Sequence, residues 1–157
     1  MPDPASGTFR YLEEDTIEKI RKYLAEKPEW QLDLFNLSLW TGARRGELFN
    51  LTKQNLFVDL IKGENVPFAR LTGKGNRSRN MPLCAEACQL LDRRVKYLDD
   101  PEKQFEIMDR SKVPSQDHKV VQSRLKQGFI FWEITEIHSI TKAFGRARRA
   151  LGIAYFN

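Results

Sequence analysis

The stretch from Glu29 to Trp40 constrains the fold more than any other part of this sequence. Trp30, Leu32, Leu34, Phe35, Leu37, Leu39 and Trp40 spread over most of a helical circumference instead of lining one stripe. A helix that is apolar on nearly all sides has to be wrapped by other elements, so the chain must build a core around it. At 157 residues it is long enough for one such domain. Hydrophobic residues at 41% and charged residues at 30% argue against a disordered chain. No apolar run approaches the roughly 18 residues that a membrane span needs, and MPDPASGTFR lacks the apolar centre of a signal peptide. The expectation is a cytoplasmic protein without membrane contact.

Around that helix the sequence predicts a mainly helical α+β fold. Glu13, Glu14 and Asp15 suit the positive end of a helix dipole, and Ile17, Ile20 and Leu24 recur at helical spacing until Pro28, which predicts a helix over about 13–27. Residues 1–10, with Pro2, Pro4 and Gly7, read as a flexible leader. Gly42 stops the core helix and residues 45–51 restart a short one with Leu48 and Leu51 inward, which leaves Arg44 at a helix-to-helix corner. Leu56, Val58 and Leu60 alternate like a half-buried strand. Turns at 62–65 and 73–78 lead into strands over 66–72 and 79–83, completing a small three-stranded antiparallel sheet.

Ala87, Leu90, Leu91, Val95 and Leu98 mark a helix over 85–98 that Asp99, Asp100 and Pro101 end. Residues 101–128 are polar and show no firm period. No element is predicted there beyond a short helical turn anchored by Phe105, Ile107 and Met108. After an apolar run at 129–132, Ser139 is expected to cap a last helix over 140–151, closed by Gly152. On it Ile140, Phe144, Ala147 and Leu151 form one stripe, and Lys142, Arg146 and Arg149 form another. The apolar face should dock and the basic face stay wet.

The net charge of +5 matters through its distribution. Residues 70–79 hold Arg70, Lys74, Arg77 and Arg79 with no acid, and residues 139–157 hold Lys142, Arg146, Arg148 and Arg149 with none. Two acid-free basic segments suggest a polyanion surface, with Arg77, Arg79, Lys142, Arg146 and Arg149 as its contact residues. For the basic stripe of the last helix, a solvated face and a DNA backbone contact both remain open readings. Cys84 and Cys88 are the only cysteines and read as small buried residues without a disulfide. With only His118 and His138 beside them, no zinc spacing exists, and no metal or cofactor is expected.

Two motifs carry chemistry. The segment LWTGARRGELFNLTKQNL contains Thr41, Gly42, Arg44, Glu47 and Leu48, and the segment ARLTGKGNRSRNMPL contains Gly73, Lys74, Gly75, Arg79, Pro82 and Leu83. Alone, the first also describes a solvated turn whose surface ion pair is worth under about 1 kcal/mol. The second also describes an ordinary hairpin with a basic tip. A phosphate-cradling glycine loop does not fit, because the Walker spacing is missing and Pro82 ends the segment as a sheet edge does. In this order and joined by strand-like sequence, the two motifs resemble the tyrosine recombinase (phage integrase) family. Its Thr-Gly-x-Arg corner is followed by a Glu-Leu pair, and its β-hairpin carries a lysine between glycines and closes on Pro-Leu.

The resemblance implies a role for each matched residue. Arg44 would bind the scissile phosphate, since a guanidinium reaches two phosphate oxygens at once and stays charged. Glu47 would support the site. Lys74 would be the general acid for the departing 5′-hydroxyl. It further implies double-stranded DNA as partner, a homo-oligomer on that DNA, and strand exchange through a 3′-phosphotyrosyl link without metal or external energy.

The segment HSITKAFGRARRALGI resembles the helix before the family's second box, but no His-x-Leu-Arg motif occurs in the sequence. Residues 11–157 thus read as a partial catalytic domain, without a core-binding domain or the C-terminal catalytic segment. Tyr155 precedes the place of the second arginine and reads as an anchor or chain end, not as the nucleophile. His138 leads into the last helix without the motif's context. The expectation is a phage- or mobile-element-encoded integrase whose present portion is inactive by itself. The alternative is a non-cleaving DNA-binding or assembly module from a naturally truncated integrase. Truncation is also expected to leave Phe129, Phe131 or Phe144 uncovered.

Overall fold

The computed structural model describes residues 12–153. The leader expected over residues 1–10, together with Tyr11 and Tyr155, lies outside them. The described chain is mainly helical: α1 (Glu14–Leu24), α2 (Glu29–Thr41), α3 (Arg45–Phe49), β1 (Leu56–Ile61), β2 (Glu64–Thr72), β3 (Ser78–Pro82), α4 (Ala85–Tyr97), α5 (Pro101–Ser111), α6 (His118–Gln127) and α7 (Ile137–Leu151). No helix among the described residues is long and apolar enough to cross a membrane.

Helix α2 sits at the centre, as its apolar circumference requires. Trp30, Leu34, Phe35 and Leu37 are buried, and so are Gln31 and Asp33, while Leu39 is exposed and Leu32, Asn36, Ser38 and Trp40 are half-buried. Helices α1, α4 and α7 pack around it. One core cluster joins Leu34 and Leu37 to Leu48 of α3, Leu71 of β2, Leu91 of α4, Ile130 and Ile140. A second joins Phe35 to Ile20 and Leu24 of α1 and Ala147 of α7, with Phe35 and Phe144 meeting edge-on at 6.3 Å. The apolar run at 129–132 is core: Ile130, Phe131 and Trp132 are fully buried. Phe131 is therefore not among the uncovered aromatics, while Phe129 and Phe144 are half-buried.

The sheet has the order β1-β2-β3, antiparallel throughout, with Leu56 opposite Ala69 and Leu71 opposite Arg79. Lys62 and Gly63 both have positive φ, 50° and 82°, the geometry of a two-residue hairpin turn that follows the twist of its strands. The expected half-buried face of β1 is only partly realised. Leu56 packs against the core, but Val58 and Leu60 are 63% and 66% exposed, because the β1–β2 hairpin extends past the helices beneath it.

Three further expectations are corrected. Residues 101–128 form two helices. Asp100 caps α5 by accepting from the Lys103 amide at 3.1 Å, Pro101 follows as its first residue, and Gly128 ends α6 in left-handed conformation. Ser139 caps nothing, because α7 starts at Ile137 and places Ser139 inside its first turn; Gly152 does close it with a φ of 65°. Cys84 is exposed at the start of α4 and Cys88 is half-buried, since that helix turns Ala87, Leu90 and Leu91 inward instead.

Candidate active site and nucleic-acid interface

The arginine corner is built by short-range hydrogen bonds that its sequence supplies. The Thr41 hydroxyl donates to the Leu37 carbonyl at 2.6 Å and accepts from the Ala43 amide at 3.1 Å, which ties the end of α2 to the residue before Arg44. Gly42 turns the chain with a φ of 66°, where a side chain would be strained by about 1 kcal/mol. Arg44 then adopts an extended conformation as the residue before α3. Its amide donates to Glu47 Oε2 at 2.8 Å, so the carboxylate satisfies the first free N–H of the short helix. The Arg44 side chain is exposed at the rim of a groove of about 630 Å³ between α2, α3 and α7, floored by Leu34, Phe35 and Phe144.

Glu47 is the centre of this corner. Its side chain is 6% exposed, and both carboxylate oxygens are held by Arg79 of β3: Nε to Oε1 at 3.2 Å and Nη2 to Oε2 at 3.0 Å. Burial pushes the Glu47 carboxyl up, but the Arg79 hydrogen bonds and the Arg44 amide outweigh it and hold the pKa below the ordinary 4.5. Arg79 Nη2 also donates to the Gly42 carbonyl at 3.2 Å. A guanidinium counted by sequence as a DNA contact is thus engaged with the corner itself.

Lys74 lies in the five-residue connection between β2 and β3, exposed on a turn in which Gly75 and Asn76 take positive φ of 75° and 61°. The Gly73 amide donates to the Arg77 carbonyl at 2.9 Å, and the Thr72 and Ser78 hydroxyls meet at 3.0 Å below it. The root of this hairpin abuts the corner, since a Cβ built on Gly73 would lie 3.6 Å from Glu47 Cγ and Oε1. The Arg44 amide, the Arg79 guanidinium and Gly73 at the root of the lysine turn therefore meet at one carboxylate. Arg77 is exposed at the far end of the same turn.

The predicted basic stripe of α7 is exposed as expected. Lys142, Arg146 and Arg149 share one shallow surface with Thr141, while Ile140, Ala143 and Ala147 face the core. The stripe connects to the corner through Arg45, whose guanidinium hydrogen-bonds Thr141. The sequence reading gives Arg45 no catalytic part and misses both its link to Thr141 and the inward direction of Arg79. The second was readable, because Arg79, Met81 and Leu83 alternate and the last two pack against the core.

A mainly helical α+β domain with a preformed arginine corner, a glycine-flanked lysine hairpin beside it and a basic helix face has the character of a protein that handles nucleic-acid phosphates. The chain belongs to the phage integrase family, whose model matches residues 10–145. It is thereby a tyrosine-recombinase-type domain, of the class that acts in DNA recombination. No curated protein and no solved structure matches the chain.

Proposed function

We propose that this chain supplies the arginine–lysine half of a strand-exchange site, from an integrase encoded by a phage or mobile element and acting on double-stranded DNA. The observation that supports it most is the corner itself: the Arg44 backbone is fixed by a buried carboxylate, which leaves its guanidinium exposed and directed by a rigid turn. Arg44 clamps the scissile phosphate and stabilises the charge that builds on it in the pentavalent transition state. Lys74, on its exposed turn, gives a proton to the departing 5′-oxygen, which leaves as the 5′-hydroxyl. Glu47 holds the geometry of both. Arg77, Lys142, Arg146 and Arg149 contact backbone phosphates, which sets register and supplies affinity without reading sequence.

In the intact integrase a tyrosine attacks the phosphate, forms the 3′-phosphotyrosyl link and so retains the phosphodiester energy for rejoining, and copies of the protein assemble on the DNA. The 157 residues contain no His-x-Leu-Arg motif. On its own this polypeptide therefore binds DNA without cutting it. A nicked suicide duplex tests this: the chain alone yields no denaturant-resistant adduct. The source reading frame, if it continues into His-x-Leu-Arg and a later tyrosine, yields one that R44A abolishes. A reading frame with a stop codon directly after Asn157 favours the non-cleaving module instead.

A further inference from the structure

We infer that Arg79 is a positioning residue that locks the Lys74 hairpin to the Arg44 corner through Glu47, and that it is not a phosphate ligand. This rests on the reading above, in which Arg44 and Lys74 act on the same phosphodiester. Arg79 sits on the core-side face of β3, directly opposite the buried Leu71. From there its fork takes both oxygens of Glu47, and one of the same nitrogens also reaches the Gly42 carbonyl at the end of α2. Glu47 in turn holds the Arg44 amide at 2.8 Å. A single guanidinium thus ties the strand that carries the lysine turn to the turn that carries the arginine.

The Arg79 side chain is 45% exposed, but its Nε and Nη2 are committed to Glu47 and Gly42, so a phosphate could take a two-pronged grip on it only by drawing it away from Glu47. That would leave a carboxylate that is 6% exposed without its charged partner, a loss that phosphate contact at the surface does not offset. Arg77, two residues earlier and exposed on the turn, has no such engagement and is the better phosphate contact. The geometry also depends on the planar fork. A lysine at position 79 would keep the charge but could not span both Glu47 oxygens and the Gly42 carbonyl.

The test is a double-mutant cycle on the 157-residue chain, read by fluorescence anisotropy with a labelled DNA duplex over a range of salt. K74A should weaken binding at least about threefold in the wild-type background and have almost no effect in R79K and R79Q, because the lysine is no longer held at the phosphate. Adding R79Q to K74A should leave the salt slope unchanged. If R79K behaves as wild type, or if R79Q lowers the slope of K74A by a further unit of about 0.9, Arg79 is a phosphate ligand and the inference falls. A second measurement needs no variant. In nuclear magnetic resonance of the wild-type chain, the Gly73 and Gly75 amide signals should shift together with the Glu47 carboxyl as it titrates; amides that stay still while Glu47 titrates overturn the clamp. Absence of DNA binding by the wild type sinks the functional reading instead, and the resonance measurement still decides the clamp.

Discussion

At the scale of single residues, the molecule's chemistry concentrates on one carboxylate. Glu47 is nearly buried, yet it stays ionised because Arg79 and the Arg44 amide stabilise its charge more than burial penalises it. Its folded pKa lies below the unfolded one, so the interaction stabilises the fold above the ordinary value of 4.5 and is lost as the pH falls through the depressed folded value. E47Q should accordingly cost about 1–3 kcal/mol in urea denaturation at pH 7. The gap from wild type should close on acidification; a gap that persists with Glu47 protonated removes the electrostatic account. The corner and the hairpin that carry Arg44, Glu47 and Lys74 are legible in the sequence because each is a short motif whose spacing is local. The partner of Glu47 is hidden, since the Glu47–Arg79 pair spans 32 positions and only the alternation of β3 hints at where Arg79 points.

At the scale of elements, propensity and caps explain most boundaries, and the departures have physical causes. Helix α6 escaped sequence reading because its buried face is not apolar. Beside Val121 it buries Arg124, whose guanidinium stacks between Phe49 at 4.1 Å and Phe129 at 4.2 Å and donates to the Phe49 and Phe131 carbonyls. Burial lowers its pKa to about 10, which still leaves it charged at neutral pH. R124A should destabilise the chain by about 2–4 kcal/mol in chemical denaturation, through lost stacking and the loss of both carbonyl contacts, the Phe131 carbonyl keeping the Ile134 amide as donor. At α7 the opposite holds: S139A should change stability by less than about 0.5 kcal/mol, whereas a capping serine would lose about 1 kcal/mol. A loss of cap size in the same denaturation experiment would restore Ser139 to the start of the helix. The strand β1 was predicted correctly in extent but not in burial, because alternation reports which face is apolar and not whether anything covers it.

At the scale of the whole molecule, α2 and α4 are joined by charge as well as by apolar packing. Arg94 is fully buried and bonds Asp33 of α2 at 2.8 Å and Glu133 at 2.7 Å, while Arg93 forks onto Asp33 and the Tyr97 hydroxyl reaches Glu29 at 2.6 Å. Nothing in the hydrophobic pattern announces such a network, which replaces apolar residues at core positions of two helices. R94A should cost about 3–5 kcal/mol in chemical denaturation by leaving the buried Glu133 carboxylate unpaired and Asp33 with Arg93 alone, and a loss under about 1 kcal/mol would mean that water enters and solvates Glu133. Around this frame the corner, the lysine turn and the α7 stripe keep their basic groups exposed, and the account stands on what that surface meets. The most direct measurement is the affinity of the 157-residue chain for a labelled DNA duplex as salt is varied. The account predicts a log affinity that falls linearly with log salt, with a slope reduced by about 0.9 for each of R44A, K142A and R149A. Binding that is absent, or whose slope none of these changes alters, would contradict it.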